Sequence, residues 1–92
     1  MKISVKVFAS LRTFMPGEIG LELADGSTIT DLLVVLGRTY PELPKELFSD
    51  EGILRRLVNI LQNGRNIIHV QGLKTPLSPG DLIAIFPPVA GG

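Results

Sequence analysis

Polar and apolar residues alternate at the start of this chain, and this pattern does most to limit what the chain can fold into. Within residues 2–9 every second side chain is apolar, which predicts an extended strand whose buried face carries Ile3, Val5 and Val7. The alternation resumes over residues 18–23, after a Pro-Gly turn signal at positions 16 and 17. Two such runs joined by a loop over residues 10–17 predict an antiparallel hairpin.

One helix is predicted over residues 29–39. Thr28 suits the N-cap, and Asp31 places a negative charge in the first turn, where the helix dipole favours it. Apolar residues recur at helical spacing along one face, at Ile29, Leu32, Leu33 and Leu36. Pro41 ends the helix, and one further helical turn is predicted at residues 44–48. One face of the main helix must therefore pack on a sheet.

Three more strands are predicted in the second half of the chain. The third spans residues 57–62, and Asn63-Gly64 predicts a tight hairpin leading to a short strand at 66–68. The Ser-Pro-Gly-Asp sequence at 78–81 suits a type II turn, and the last strand spans 82–86. The order β-β-α-β-β-β predicts an α+β roll in which the terminal strand can insert between its neighbours and become central.

The composition limits the classes of function. The 92 residues predict a single domain over 1–92, with a globular part at 1–86 and a flexible functional tail at 87–92. Nine basic against nine acidic residues give no reason to expect nucleic acid, and no apolar stretch is long enough to span a membrane. There is no cysteine and His69 is the only histidine, so neither a metal site nor a catalytic base is expected. The start of the chain does not resemble a signal peptide, which favours a cytoplasmic protein.

The last six residues carry the clearest functional signal. Pro87 and Pro88 cannot donate to a sheet ladder, so the chain is expected to leave the last strand in an extended conformation. The four residues that follow are small and can thread a narrow channel in another protein: Val89, Ala90, Gly91 and Gly92. A carboxylate is a poor electrophile and must be activated first, usually as an acyl adenylate. The pattern indicates a carrier whose own C-terminus reacts and whose partners supply the catalytic groups.

The ending FPPVAGG, residues 86–92, resembles the C-terminus of the small subunit of molybdopterin synthase, within the ubiquitin-like β-grasp sulfur carriers. The segments VFASLR at 7–12, NGR at 63–65 and PL-x-x-GD at 76–81 are also similar to that family, as is the helix opening at 28–33. The resemblance implies a ubiquitin-like β-grasp roll. Such a roll has a mixed sheet of four to five strands, one main helix packed across it, and an extended C-terminal tail.

The resemblance also implies a mechanism. Gly92 would be adenylated by an E1-like enzyme that uses ATP and would become a thiocarboxylate, with Gly91 and Ala90 in the threaded part. No cofactor would be bound, and the partner would hold the residues before the tail end: Phe86, Pro87, Pro88 and Val89. The large subunit of molybdopterin synthase would use the sulfur in molybdenum cofactor biosynthesis, so this chain would be a non-catalytic sulfur donor. The same ending is found in archaeal small ubiquitin-like modifiers, which couple to lysines of target proteins, and the tail does not separate the two uses.

An apolar docking surface is predicted beside the tail. In the third strand Val58 and Ile60 are predicted to point inward, and in the last strand Ile83 and Ile85. The outward face then carries Phe8, Leu61, Ala84 and Phe86. A register error of one residue would exchange the two faces of the sheet. The sequence leaves two roles open for Arg12, which are pairing with an acidic partner and binding local carbonyls. The remaining basic group is interpreted mainly as a solvated face: Arg55, Arg56 and Arg65.

Overall fold

A computed structural model describes residues 1–88 and shows one main helix packed on a five-stranded sheet. The strands are β1 (Lys2–Val7), β2 (Glu18–Glu22), β3 (Asn59–Gln62), β4 (Arg65–Asn66) and β5 (Leu82–Phe86). The helices are α1 (Ile29–Thr39) and the shorter α2 (Glu42–Leu47). The predicted order of strands and main helix is confirmed. The tail positions Val89, Ala90, Gly91 and Gly92 lie outside the described residues.

Helix α1 begins and ends at the predicted residues. Its N-terminus is capped as expected. The Asp31 N–H donates to Thr28 Oγ1 at 3.4 Å, and the Thr28 N–H donates to Asp31 Oδ2 at 2.8 Å. This reciprocal capping box satisfies two backbone donors that the helix itself leaves unpaired. The apolar face is buried along its whole length, at Ile29, Leu32, Leu33 and Leu36. Helix α1 therefore covers one face of the sheet.

Strand β5 is the last in the chain and lies in the middle of the sheet. The strand order is β2-β1-β5-β3-β4, with β5 parallel to β1 and antiparallel to β3. The side chains predicted to point inward from β1 and β5 are all buried: Ile3, Val5, Val7, Ile83 and Ile85. The predicted insertion of the terminal strand is confirmed. The outward side chains of β5 lie on the opposite face, which we call the outer face.

Two turns have the predicted geometry, one between β3 and β4 and one immediately before β5. Asn63 and Gly64 have positive φ angles of 50° and 86°, as a type I′ turn between β3 and β4 requires. Before β5, Gly80 has a φ of 84°, and the Asp81 N–H donates to the carbonyl of Ser78 at 3.1 Å. A positive φ at the third position of that turn is typical of type II.

The loops contain 3₁₀ helices that the sequence pattern did not predict. The predicted loop at 10–17 holds one at Ala9–Thr13, anchored by the fully buried Leu11. The predicted fourth strand at 66–68 is shorter, because a 3₁₀ helix at Ile67–His69 takes over after Asn66, whose Oδ1 accepts the Ile68 N–H at 3.1 Å. None of the helices in residues 1–88 is long and apolar enough to cross a membrane.

Candidate functional site

The chain leaves the sheet at the end of β5, beside the end of β1. Val7 is paired with Ile85 in the parallel ladder, so the next residues of each strand, Phe8 and Phe86, come side by side at the same edge. Pro87 is buried in the chain alone, and its contact with a partner stays a prediction. A central strand is flanked on both sides, so the residue that follows it is still covered by neighbouring chain. The packed part of the chain therefore includes Pro87.

Two aromatic rings stack where the chain leaves the sheet. The centroids of Phe8 and Phe86 are 4.3 Å apart, and the ring planes differ by 6°. Both side chains are partly exposed, which places them on the outer face as predicted from the strand alternation. Stacked aromatic pairs contribute about 0.5–1.5 kcal/mol beyond the area that they bury. The pair therefore stiffens the point at which the tail begins while leaving ring surface open to a partner.

Arg12 completes this aromatic cluster. Its Nε donates to the carbonyl of Val7 at 2.8 Å, and its guanidinium carbon lies 5.1 Å from the centroid of the Phe8 ring. The Arg12 side chain also lies against Gly17, where a Cβ would be 3.4 Å from its Nε. Of the two roles left open for Arg12, the structure shows the local carbonyl contact. The guanidinium is still exposed at the rim of the aromatic pair.

Leu61 and Ala84 extend the apolar surface away from the aromatic pair. They are partners across β3 and β5 and are both partly exposed. Lys6 is the partner of Ala84 on the other side, in β1, and supplies a positive charge at that border. We call the four residues Phe8, Leu61, Ala84 and Phe86 the docking face. The structure brings all four predicted residues to the outer face; their role in binding stays a prediction.

The other end of β5 is held by a buried carboxylate. Asp81 is 6% exposed and accepts hydrogen bonds from Gln62 Nε2 at 2.7 Å, from Asn63 Nδ2 at 2.9 Å and from the Ser78 N–H at 2.9 Å. Burial raises the pKa of Asp81, but these hydrogen bonds outweigh it, so the pKa lies below its usual value. The carboxylate is occupied in closing the turn and joining β3 to β5, which is a structural role.

His69 shows no arrangement for catalysis. It is exposed at the end of a 3₁₀ helix, where its backbone carbonyl accepts a hydrogen bond from Arg65 at 3.0 Å. Within residues 1–88, no group of three or more His, Asp or Glu side chains is placed to hold a metal ion.

The sequence pattern missed the contact between Arg12 and Phe8. Phe8 has an extended backbone just before the 3₁₀ helix that carries Arg12, and this helix brings the guanidinium back over the Phe8 ring. The signal that could have revealed it is the group of apolar residues within the predicted loop, of which Leu11 anchors the 3₁₀ helix in the core.

The chain is similar over its whole length to proteins of one family. The model of the ThiS family matches residues 5–92. Small archaeal modifier protein 3 of Haloferax volcanii is 37% identical, and the match covers 100% of both proteins. Sulfur carrier protein CysO of Mycobacterium tuberculosis is 32% identical, also over 100% of each. The crystal structure of SAMP1 from Haloferax volcanii superposes with a TM-score of 0.86 at 30% identity, with 100% of both chains covered.

Proposed function

The chain belongs to the ThiS family, and from that membership we propose that it is a carrier protein whose reactive group is the carboxyl of Gly92. Its fold is the ubiquitin-like β-grasp, and its relatives are sulfur carriers and small archaeal modifiers. The observation that carries the proposal is the course of β5. This strand lies in the middle of the sheet, ends at Phe86, whose ring stacks on that of Phe8, and leads directly into the tail.

The proposed chemistry begins with activation of the terminal carboxylate by an E1-like enzyme. The carboxylate oxygen attacks the α-phosphorus of ATP, pyrophosphate leaves, and an acyl adenylate forms on Gly92. A hydrosulfide-type nucleophile then attacks the carbonyl carbon and AMP leaves, which gives a thiocarboxylate. Gly91 and Gly92 carry no Cβ, so no side chain crowds the carbonyl carbon. For the same reason the tail can pass through a narrow channel.

The docking face supports the second part of the proposal, that partners recognise the fold beside the tail. Phe8 and Phe86 are partly exposed aromatic rings, and exposed aromatic residues are favoured anchors in protein interfaces. Arg12 and Lys6 place positive charge at two borders of this apolar surface, which suits acidic side chains around an apolar pocket on the partner. Because the face adjoins the exit of β5, a partner bound there would receive the tail.

We propose that the sulfur is transferred in the molybdopterin synthase reaction, with this chain as the non-catalytic small subunit. The support is the FPPVAGG ending, which resembles the small subunit of that enzyme. The large subunit would supply the catalytic groups. The carrier would bring the thiocarboxylate sulfur that becomes part of the molybdopterin dithiolene.

A second candidate function is protein modification, in which a lysine amine of a target protein attacks activated Gly92. The observation that favours it is the 37% identity to Small archaeal modifier protein 3 along the full length of both chains. The activation step is the same in the two cases. Only the nucleophile that finally attacks the carbonyl carbon differs.

Intact-mass spectrometry tests the activation step. The protein is incubated with the adenylating enzyme of its own organism, ATP and sulfide, and we expect the mass increase of one oxygen replaced by sulfur. Deleting Gly92 should remove this product. Gly20→Ala is a matched control, because a Cβ at position 20 meets nothing within 4 Å. Failure of the intact chain to gain sulfur under these conditions would contradict the proposal.

Two assays separate the possible acceptors. If the first proposal holds, purified thiocarboxylate mixed with a molybdopterin synthase large subunit and a cyclic pyranopterin precursor should lose its sulfur as molybdopterin forms. For the modifier, target lysines should carry a remnant of the chain after digestion of a cell extract with trypsin. Because Lys74 is the last basic residue, that remnant is residues 75–92. Lysines carrying this remnant, together with no molybdopterin, would establish the second candidate instead.

A further inference from the structure

A groove at the β4 edge of the sheet is separate from the docking face. It has a volume of about 260 Å³, and none of the four docking-face residues lines it. Its lining combines aliphatic side chains with basic and amide ones, among them Arg55, Arg56, Val58, Asn66, Ile68 and Leu73. Small-molecule sites in proteins usually have about 300–1,000 Å³. This groove, which we call the basic groove, is therefore better suited to one or two side chains of another protein than to a cofactor.

The groove lies in a part of the chain that carries only positive charge. Between Glu51 and Asp81 there is no acidic residue, whereas this stretch contains Arg55, Arg56, Arg65 and Lys74. Within residues 1–88 the ion pairs are those of the N-terminal amino group, so no described acid neutralises the two arginines that line the groove. The formal net charge of zero thus conceals a basic surface at this edge.

The groove also offers apolar contact. Ile68 is 75% exposed, which is the highest value among the large apolar side chains in the described residues. Its backbone is held in place because the Ile68 N–H donates to Asn66 Oδ1, and the 3₁₀ helix that carries it is anchored by the buried Ile67. The exposed Ile68 side chain therefore stands beside buried Val58 and Ile60, which line the same groove.

The adjacent sheet edge has unused pairing capacity. Strand β4 has two residues and pairs with Leu61 and Gln62 of β3, so within the described residues Asn59 and Ile60 have a strand partner on the β5 side alone. Both residues line the groove, and because Ile60 is only 1% exposed, the accessible part of this edge is at Asn59. An extended segment from another protein can add to such an edge through main-chain hydrogen bonds, with its alternate side chains entering pockets.

We propose that the basic groove binds an extended acidic peptide segment of a partner protein, with an aliphatic side chain placed against Ile68 and Leu73. The carboxylates of the peptide pair with Arg55 and Arg56. Nucleic acid fits less well, because the groove has an aliphatic floor and its lining contains no aromatic residue on which a base could stack. This site does not depend on the chemistry of Gly92, so a partner can hold the carrier there while the docking face and tail are engaged elsewhere.

NMR titration of the full chain tests this inference. The probe is a seven-residue peptide with two central valines flanked by aspartates and glutamates, and a matched peptide has lysines in place of the acids. We expect the acidic peptide to shift the amide signals of Arg55, Arg56, Asn59 and Ile68. The affinity should fall on raising the salt concentration, because surface charge pairs are screened. The lysine peptide should not bind.

Variants make the test specific. Arg55→Glu combined with Arg56→Glu should weaken binding by at least about tenfold, since like charges then face each other. Arg38→Glu, the same change on α1 outside the groove, should leave the affinity unchanged. Ile68→Ser removes an exposed side chain with little risk to folding and should also weaken binding. Circular dichroism of each variant verifies that the fold is intact.

Four outcomes would overturn the inference. The first is that the acidic peptide does not bind, and the second is that the shifted signals centre on the docking face. The third is that the lysine peptide or a single-stranded oligonucleotide binds equally well. The fourth is that the chain self-associates and that Arg55→Glu with Arg56→Glu abolishes this self-association. The last would assign the groove to a second copy. Sulfur transfer to Gly92 is measured separately, so the failure of one proposal leaves the other standing.

Discussion

The two ends of β5 are held by contacts of opposite character. At the start, Asp81 is buried and accepts hydrogen bonds from Ser78, Gln62 and Asn63. At the exit, Phe86 stacks on Phe8, and both rings keep part of their surface exposed. The first arrangement is polar and closed; the second is apolar and open. One strand is therefore fixed by a buried polar network where it begins and, in the proposed function, offers an apolar surface for recognition where it ends.

The largest effect is expected beyond the exit end, at the tail glycines. Gly91→Val or Gly92→Val should abolish formation of the thiocarboxylate, because a branched side chain next to the carbonyl carbon obstructs both the channel and the nucleophile. The measurement is intact mass after incubation with the activating enzyme, ATP and sulfide. The free energy of unfolding should match that of the unaltered protein. A variant that forms thiocarboxylate at the normal rate would contradict the proposed role of the tail.

The next largest effect is expected at the closed end. Asp81→Ala leaves the donors of Ser78, Gln62 and Asn63 without their acceptor, and we expect a loss of about 2–3 kcal/mol in the free energy of unfolding. Urea denaturation measures this loss. Asp50→Ala, which removes an exposed carboxylate, serves as the control and should cost little. Equal stability of the two variants would show that the closed end does not secure the strand.

At the open end, Phe86→Ala should act on binding more than on folding. We expect the affinity for the activating enzyme to fall about 30-fold, equivalent to about 2 kcal/mol, because buried aromatic anchors dominate interfaces. Phe86→Leu keeps apolar volume without the stack and should lose less. Calorimetric titration measures both. If Phe86→Ala binds as tightly as the unaltered protein, the docking face is wrongly assigned.

Acid should weaken the closed end selectively. Hydrogen bonds hold the pKa of Asp81 below its usual value of 3.8, so its contribution to stability is complete above that value and is lost as the pH falls through the lower pKa of the folded state. The effect should be smaller than that of Asp81→Ala, since the protonated group still fills the site. Urea denaturation across a pH series measures it. An Asp81→Asn variant that loses stability over the same acidic range would refute the assignment to this carboxyl.

The smallest effect is expected at Arg12. Arg12→Ala removes a cation–π contact with Phe8 that is partly solvated, and we expect a loss of about 0.5 kcal/mol in the free energy of unfolding. Arg12→Lys keeps the charge but loses the hydrogen bond to the carbonyl of Val7 in its present geometry. Thermal unfolding of both variants compares the two contributions. A loss several times larger would mean that Arg12 is part of the structural framework of the open end.

The sequence predicted those parts of the fold that depend on local pattern. Helix α1 was predicted to its first and last residue because Thr28 and Pro41 are strong boundary signals. The two faces of β1 and β5 were assigned correctly, since alternation has a period of two and one face is apolar. The turns at Asn63-Gly64 and at residues 78–81 follow from the backbone freedom that glycine brings to positive φ.

What the sequence did not predict depends on contacts between distant residues. Pro87 is buried because the strand before it is central. The local sequence does not show which of Pro87 and Pro88 is buried. The buried network of Asp81 joins residues 18 and 19 positions apart, so no local pattern marks it. The basic groove likewise brings Arg55 and Arg56 beside Ile68, which the sequence pattern had assigned to a strand.

The position of β5 has a consequence for how the chain is made. Synthesis proceeds towards the C-terminus, so β5 emerges after β1 and β3, although both need it as a neighbour. Contacts between residues so far apart in sequence also form slowly. A chain halted before residue 82 would lack the middle of its sheet, and with it the surface that presents the tail. In the proposed function, the strand that completes the sheet also leads directly to the tail, so the sheet must be finished before Gly92 can be presented to a partner.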